Sequence, residues 1–125
     1  MIFLSVEDLL YVAERTIAEV LVRDVGLLDA AAARPSASAF STAAYPSIHE
    51  KAAALLHSIA RNRALVDGNK RLALAAVVAF YGVNGWRLTL TNEQAYQLVT
   101  DVGSGTVDEI SELAAALERG TEARR

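Results

Sequence analysis

No cysteine occurs among the 125 residues of the chain. The protein can therefore form no disulfide, no thiolate metal site and no cysteine nucleophile. Basic residues are also scarce relative to acidic ones, with 12 lysines and arginines against 15 aspartates and glutamates and a formal net charge of −3. The overall field of such a chain does not attract nucleic acid. We therefore expect no direct nucleic-acid partner, and any anion site must come from a local cluster of cations.

Long apolar runs are missing as well. The longest, LALAAVVAFYGV at residues 72–83, is shorter than the roughly 20 residues that cross a bilayer. The opening MIFLSVEDLL has no basic segment ahead of its apolar residues, unlike a secretory signal. We expect a cytoplasmic protein without a membrane partner.

Apolar residues are nevertheless abundant. They make up 53% of the chain against 22% charged residues, a composition typical of folded rather than disordered proteins. A chain of this length can build one hydrophobic core but not two. We therefore predict a single domain over residues 1–125.

Two helices are predicted in the N-terminal third. Ser5 with Asp8 resembles a capping box, and the apolar residues that follow recur at helical spacing over residues 6–22. A second helix, LLDAAAAR, covers residues 27–34 and is stopped by Pro35.

The next segment, SASAFSTAAYP at residues 36–46, is rich in small residues and shows no clean period. Its large side chains are Phe40 and Tyr45, which we expect to anchor it. The segment is interpreted as a loop or flap.

Two further helices flank the stretch NRALVDGNKR at residues 62–71. Ser47 with Glu50 predicts the start of the third helix, which should end near Asn62. Asp67 can cap a fourth helix that starts at Gly68. Because the body of this helix is apolar all round, we expect it to be buried at the centre of the fold.

The C-terminal part is predicted to be helical apart from a short extended piece. In chain order we expect extended residues 86–90, a helix capped by Thr91 and Gln94 up to about Val102, a linker at 103–105, a last helix opened by Thr106 and Glu109 and ending near Glu118, and a frayed tail at 119–125. The fold class is therefore all-α.

The stretch between the third and fourth helices has the chemistry of an anion site. A helix start offers unpaired N–H groups and a partial positive charge, which together favour phosphate. Gly68 permits close approach to the backbone, and Lys70 and Arg71 add cations on the first turn. The alternative is an ordinary Asp-Gly turn followed by solvated cations.

Asp67 and Arg61 admit more than one role. As an N-cap, Asp67 would accept a hydrogen bond from the N–H of Asn69 or Lys70. Alternatively it could hold a Mg²⁺ ion, which usually takes one or two carboxylates together with phosphate oxygens. Arg61 could bind a second phosphate.

At these residues the sequence resembles the Fic/Doc superfamily, whose core pattern is His-x-Phe-x-Asp/Glu-Gly-Asn-Gly/Lys-Arg. Residues 67–71, DGNKR, match its second half, and lysine at Lys70 is the version found in Doc (death-on-curing) toxins. The likeness extends over FLSVEDLL at the start, VRDVGLLDAAAARP, YPSIHEKAAALLHSIARN and LALAAVVAFYGVNG. The resemblance implies an all-α, Fic-type helical bundle.

The resemblance also implies an activity. Fic proteins bind ATP and typically transfer AMP to a target hydroxyl, whereas Doc toxins hold the nucleotide reversed and transfer its γ-phosphate to a threonine of elongation factor Tu, which arrests translation. Carried over by position, the implied roles are Mg²⁺ binding by Asp67, phosphate binding by Gly68 and Asn69, charge neutralisation by Lys70 and Arg71, and nucleotide contact by Arg61.

The sequence departs from the pattern at its front. The family histidine aligns with Arg63 and the family phenylalanine with Leu65. Leucine still supplies an apolar plug, but a guanidinium has no acceptor and cannot take a proton from a threonine hydroxyl. Since general-base catalysis contributes about 10²–10⁴-fold, we expect transfer to be crippled while nucleotide binding survives. The alternative is a naturally non-catalytic module that binds nucleotide or antitoxin.

The resemblance finally implies a partner, a prevent-host-death antitoxin whose disordered C-terminal segment folds as a helix into a groove near the N-terminal helices. The first predicted helix has more apolar positions than one core face requires, namely Leu9, Leu10, Val12, Ala13, Ile17, Val20 and Leu21. Burial on two sides within the domain would explain this equally well. His49 and His57 lie eight positions apart on the third helix, and we expect a structural or surface role for both.

Overall fold

A computed structural model describes residues 1–124, and this part of the chain is mainly helical. Its helices are α1 (Val6–Thr16), α2 (Val25–Ala33), α3 (Ile48–Asn62), α4 (Asn69–Val83), α5 (Asn92–Ser104) and α6 (Ile110–Arg119). A 3₁₀ turn at Arg34–Ser36 follows α2. The strands are two antiparallel pairs, β1 (Ser38–Ala39) with β2 (Thr42–Ala43) and β3 (Trp86–Leu88) with β4 (Thr121–Ala123). The predicted all-α class is confirmed.

Helix α3 runs through the middle of the bundle. It packs against α2, α4, α5 and α6, and it is buried from His49 through Ala60 except at Glu50 and the partly exposed His57. Helix α4 lies between α1, α3 and α5 and contributes Phe80 and Tyr81 to the core. These two helices place the loop that joins them at one end of the bundle.

Helix α4 is not buried on every side, contrary to the expectation from its apolar body. Leu72, Ala73, Ala76 and Val77 face the core, but Val78 is 48% exposed. The adjoining positions Leu74, Ala75 and Ala79 are only half-buried. The helix therefore has an open apolar strip along one side. A continuous run of apolar residues in the sequence cannot show which side of a helix remains exposed.

Helix α1 ends at Thr16, so the helix predicted over residues 6–22 was too long. The Thr16 hydroxyl donates to the carbonyl oxygen of Val12 at 2.8 Å, and Ile17 is already extended, with φ −123° and ψ 134°. The apolar residues that follow serve another purpose. The carbonyl oxygen of Leu21 accepts from the N–H of Val66 at 2.9 Å, which ties this segment to the loop before α4.

Several helix boundaries also differ from expectation. Helix α2 begins at Val25, because the Asp24 carboxylate accepts from the N–H of Leu27 at 3.2 Å. Helix α5 runs on through Ser104, so residues 103–105 are not a linker. Helix α6 begins at Ile110 rather than after Thr106, whose hydroxyl lies 3.0 Å from that of Ser104.

Two segments that were expected to be irregular contain β-strands. Residues 36–46 form the β1–β2 hairpin, with Phe40 at its turn. Phe40 is fully exposed and does not anchor the segment, whereas the Tyr45 hydroxyl accepts from Arg34 Nε at 2.9 Å. The tail predicted to fray from residue 119 instead supplies the end of α6 and strand β4, which pairs with β3.

His49 has a structural role. It is buried, its Nδ1 lies 2.8 Å from the Tyr81 hydroxyl, and its ring meets that of Trp86 edge-on. A polar pair of this kind satisfies two side chains that would be costly to bury alone.

None of the helices within residues 1–124 combines the length and apolarity needed to span a membrane.

Candidate functional site

The loop before α4 is pinned to the core from inside. The Leu65 side chain is buried, and the Asn69 side chain brackets its backbone. Asn69 Oδ1 accepts from the N–H of Leu65 and Asn69 Nδ2 donates to its carbonyl oxygen, both at 2.9 Å. Leu65 therefore does serve as the apolar plug. The Asn69 side chain uses these two hydrogen bonds to hold the shape of the loop.

A second tie comes from residues 21–24, which we call the strap. Val22 and Leu65 form an antiparallel bridge, and the N–H groups of Arg23 and Asp24 donate to the carbonyl oxygen of Ala64 at 2.8 and 3.0 Å. The Arg23 side chain adds bonds to the carbonyl oxygens of Asn62 and Arg63. Sequence reasoning missed Arg23, because its contacts lie about 40 positions away along the chain.

Gly68 is required at its position for two reasons. Its φ is +86°, a left-handed conformation that disfavours residues with a side chain. A Cβ there would also lie 2.7 Å from Cδ1 of Ile17. The end of α1 therefore presses directly against the start of α4.

The start of α4 is left open. Gly68 is its N-cap and supplies no side chain, so the first N–H groups of the helix have no capping oxygen. Asp67 was expected to accept from Asn69 or Lys70 if it served as the N-cap. Its carboxylate instead accepts from the N–H of Gly68 at 2.8 Å, because Gly68 turns the chain before the helix begins.

These elements enclose a cavity of about 690 Å³. Its lining joins the strap, the end of α3, the loop, the first turn of α4 and α5, through Arg23, Ala60, Arg63, Leu65, Val66, Asp67, Gly68, Asn69, Lys70, Arg71 and Tyr96. Four of these residues are cationic and one is anionic. The structure thus brings together all the sequence-predicted site residues except Arg61, and adds Arg23 and Tyr96.

Arg63 ends α3 in the left-handed conformation, with φ 53° and ψ 59°. This backbone turns the chain into the loop, and the Arg63 side chain is exposed at the cavity. An arginine here can bind an anion, but a group that only donates hydrogen bonds cannot receive a proton. Arg63 therefore brings a cation, and no proton acceptor, to the cavity.

Arg61 lies outside the cavity lining. Its NH1 lies 2.5 Å from Asp108 Oδ1, and His57 Nε2 lies 3.0 Å from the same oxygen. The hydrogen bond from His57 and the charge of Arg61 lower the pKa of Asp108 below its ordinary value. In this arrangement Arg61 is engaged by a carboxylate rather than aimed at the cavity.

The cavity fits a magnesium nucleotide in its donor set. Within residues 1–124 no three histidine, aspartate or glutamate side chains gather into a site that could hold a metal alone. Asp67 can still supply the single carboxylate that Mg²⁺ needs when phosphates provide its other ligands. The open helix start and the cations Lys70 and Arg71 are suited to those phosphates.

A second, apolar depression of about 500 Å³ lies between α1 and α4, and we call it the α1–α4 groove. Its lining consists of Tyr11, Val12, Arg15, Thr16, Arg71, Leu74, Ala75, Val78 and Ala79. Val12 from α1 faces the open strip of α4. Both charged residues of the lining are arginines.

Comparison with known proteins identifies the family. Residues 3–81 match the model of the Fic/DOC family. A protein named Toxin Doc from Mycolicibacterium smegmatis is 46% identical over 110 residues, which covers 82% of this chain and 85% of the relative. The family match spans α1 to α4 and includes the whole loop.

Proposed function

Because the chain belongs to the Fic/DOC family, we propose that it is the toxin of a bacterial toxin–antitoxin module. In this proposal it is built to transfer the γ-phosphate of ATP to a threonine of elongation factor Tu and so to arrest translation. The observation that carries the proposal is the placement of an uncapped helix start, Lys70, Arg71 and the Asp67 carboxylate around one cavity. Because that target works in the cytoplasm, the proposal also assigns the protein to the cytoplasm.

The site residues predicted from the sequence have roles in this account. The first N–H groups of α4, beginning with Asn69, bind phosphate oxygens, and the left-handed backbone of Gly68 turns the chain into this helix start. Lys70 and Arg71 neutralise the phosphate charge. Asp67 would hold Mg²⁺, and the ion would offset the negative charge of the phosphates. Arg61 joins them only when its guanidinium leaves Asp108.

The transfer step shows what Arg63 prevents. The threonine oxygen forms a bond to the γ-phosphorus, the bond from that phosphorus to the β–γ bridging oxygen breaks, and ADP leaves. The hydroxyl proton must pass to an acceptor at the cavity, and Arg63 offers none. The chain therefore binds nucleotide but transfers phosphate slowly.

Labelled ATP tests this function. Elongation factor Tu is incubated with the chain or with Arg63→His, using ATP labelled at the γ-phosphate in one set and at the α-phosphate in another. Transfer of γ-label by the histidine variant alone supports the proposal. Transfer of α-label instead would assign the AMP-transferring chemistry of the family.

Arg63 also favours a second candidate function, a non-catalytic module that binds nucleotide or antitoxin. A phosphate-binding loop combined with a permanently charged hydrogen-bond donor in the base position fits such a module. The same experiment separates the two, because an Arg63→His variant that binds ATP and transfers neither label would support the binding module.

The α1–α4 groove is the proposed site of a prevent-host-death-type antitoxin. Its lining is almost wholly apolar and offers Val12, Leu74 and Val78 as anchors for an amphipathic helix. Arg15 and Arg71 at the groove favour acidic residues on that helix. Two copies of this face would bring like charges together, which disfavours self-association through the groove.

A further inference from the structure

Two exposed apolar side chains border the cation-lined cavity and have no part in the roles above. Val66 of the loop is 62% exposed and Tyr96 of α5 is 60% exposed, and both line the cavity. A phosphate gains nothing from apolar surface. A ligand that carries both phosphates and a flat ring gains binding energy from this apolar surface. Its ring would cover the surface when its phosphates bind at the start of α4.

Tyr96 is the one tyrosine without a partner among the residues that the structure describes. Tyr11 lies beneath the Arg15 guanidinium, Tyr45 beneath that of Arg34, and Tyr81 against His49. The ring of Tyr96 joins no such pair.

Its place on α5 also separates Tyr96 from the core. The buried residues of this helix are Ala95, Val99 and Val102, whereas Glu93 and Gln97 beside Tyr96 are exposed. The ring therefore does not hold α5 in the bundle. It stands at the cavity with its surface available to a ligand.

We propose that Tyr96 is the residue on which the base of the bound nucleotide stacks, with Val66 as a second apolar contact. The inference rests on the proposed function, because phosphates held at Lys70 and Arg71 bring the base to the cavity. Stacking on an aromatic ring needs no hydrogen bond to the base. The ring thus selects a nucleotide over a free polyphosphate.

Calorimetric titration of the whole chain with ATP and with tripolyphosphate, both with Mg²⁺, tests this assignment. Tripolyphosphate has the anionic part of the ligand and no base. Four forms are compared: the unmodified chain, Tyr96→Ala, Tyr96→Phe, which keeps the ring, and Lys70→Ala, which removes a phosphate ligand.

The proposal expects Tyr96→Ala to weaken ATP binding about tenfold and to leave tripolyphosphate binding unchanged. Tyr96→Phe should bind ATP like the unmodified chain, and Lys70→Ala should weaken both ligands. Unchanged ATP affinity in Tyr96→Ala, or an equal loss for both ligands, would overturn the base contact while the phosphate site stands. An unmodified chain that binds neither ligand would overturn the proposed function itself, and the base contact with it.

Discussion

The guanidinium of Arg23 donates two hydrogen bonds to the carbonyl oxygen of Arg63, from Nε at 2.9 Å and from NH2 at 2.5 Å. The same NH2 donates to the carbonyl oxygen of Asn62 at 3.0 Å. These carbonyls end α3, where helical hydrogen bonding has no donors left for them. A residue of the strap thereby fixes the backbone at the end of α3, where Arg63 lies at the cavity.

Replacing Arg23 with glutamine should lower the free energy of unfolding by about 1–2 kcal/mol, because two helix-end carbonyls lose a charged donor. Urea denaturation followed by circular dichroism measures the change. Arg119→Gln is the matched control, since Arg119 is an exposed residue at the end of α6, and it should change stability by less than about 0.5 kcal/mol. Equal effects of the two substitutions would show that the Arg23 contacts add no stability.

Two glycines with the same φ offer a sharper comparison. Gly68 and Gly85 both have φ +86°, but a Cβ on Gly68 meets Ile17 at 2.7 Å and one on Gly85 meets nothing within 4 Å. Gly85→Ala should cost about 1 kcal/mol of stability from backbone strain, and Gly68→Ala about 1–3 kcal/mol more from overpacking. Thermal unfolding gives both values. The Gly68→Ala, Ile17→Ala double variant should lose the added overpacking cost, and an additive double variant would contradict the contact.

Charge in the α1–α4 groove should block the proposed antitoxin. Val12→Asp places a carboxylate among apolar anchors and should weaken binding of the cognate antitoxin's C-terminal peptide at least about tenfold. Calorimetry at two temperatures measures affinity and the negative heat-capacity change expected when apolar area is buried. Val83→Asp is the control, because Val83 is 48% exposed on the same bundle but does not line the groove. Unchanged tight binding by a well-folded Val12→Asp variant would eliminate the groove as the site.

The Asp108 cluster predicts a pH dependence with a definite sign. The pKa of the Asp108 carboxyl group is lowered from the ordinary value of 3.8. The largest cause is the hydrogen bond from His57, and the next is the charge of Arg61. The stability that the carboxylate contributes is therefore present above that value and is lost as the pH falls through the lowered pKa. Asp108→Asn should be less stable than the unmodified chain at about pH 5, and the difference should shrink towards about pH 2.5.

Urea denaturation across that range measures the difference. Asp29 is exposed, and Asp29→Asn is the control substitution. Its stability difference from the unmodified chain should not shrink as the pH falls. A difference for Asp108→Asn that stays constant across the acid range would contradict the ion-pair account.

What the sequence predicts well is chemistry carried by neighbours along the chain. Ser5 with Asp8 and Thr91 with Gln94 form complete capping boxes, and residues 67–71 do open a long helix. In each case the partners lie within a few residues, so the spacing alone specifies the contact.

Contacts between distant segments could not be predicted. Residues 17–22 continue the apolar pattern of α1, yet Leu21 and Val22 leave the helix because the loop offers them hydrogen bonds. Tyr96 reaches the cavity only because α5 packs beside α3 and α4. The local sequence of neither segment identifies the distant residues that it contacts. These tertiary contacts override the local preference for secondary structure.

Protein synthesis in a bacterial cell-free extract tests most directly the central claim, that this is a translation-arresting toxin disabled by one side chain. Reporter synthesis is followed after addition of the unmodified chain, Arg63→His, or Arg63→His combined with Asp67→Ala, with ATP present. The account predicts arrest by Arg63→His alone, because an imidazole can accept the threonine proton. The double variant, which lacks the proposed magnesium ligand, should be inactive. Undiminished synthesis with a folded, ATP-binding Arg63→His protein, or equal arrest by the unmodified chain, would contradict the account.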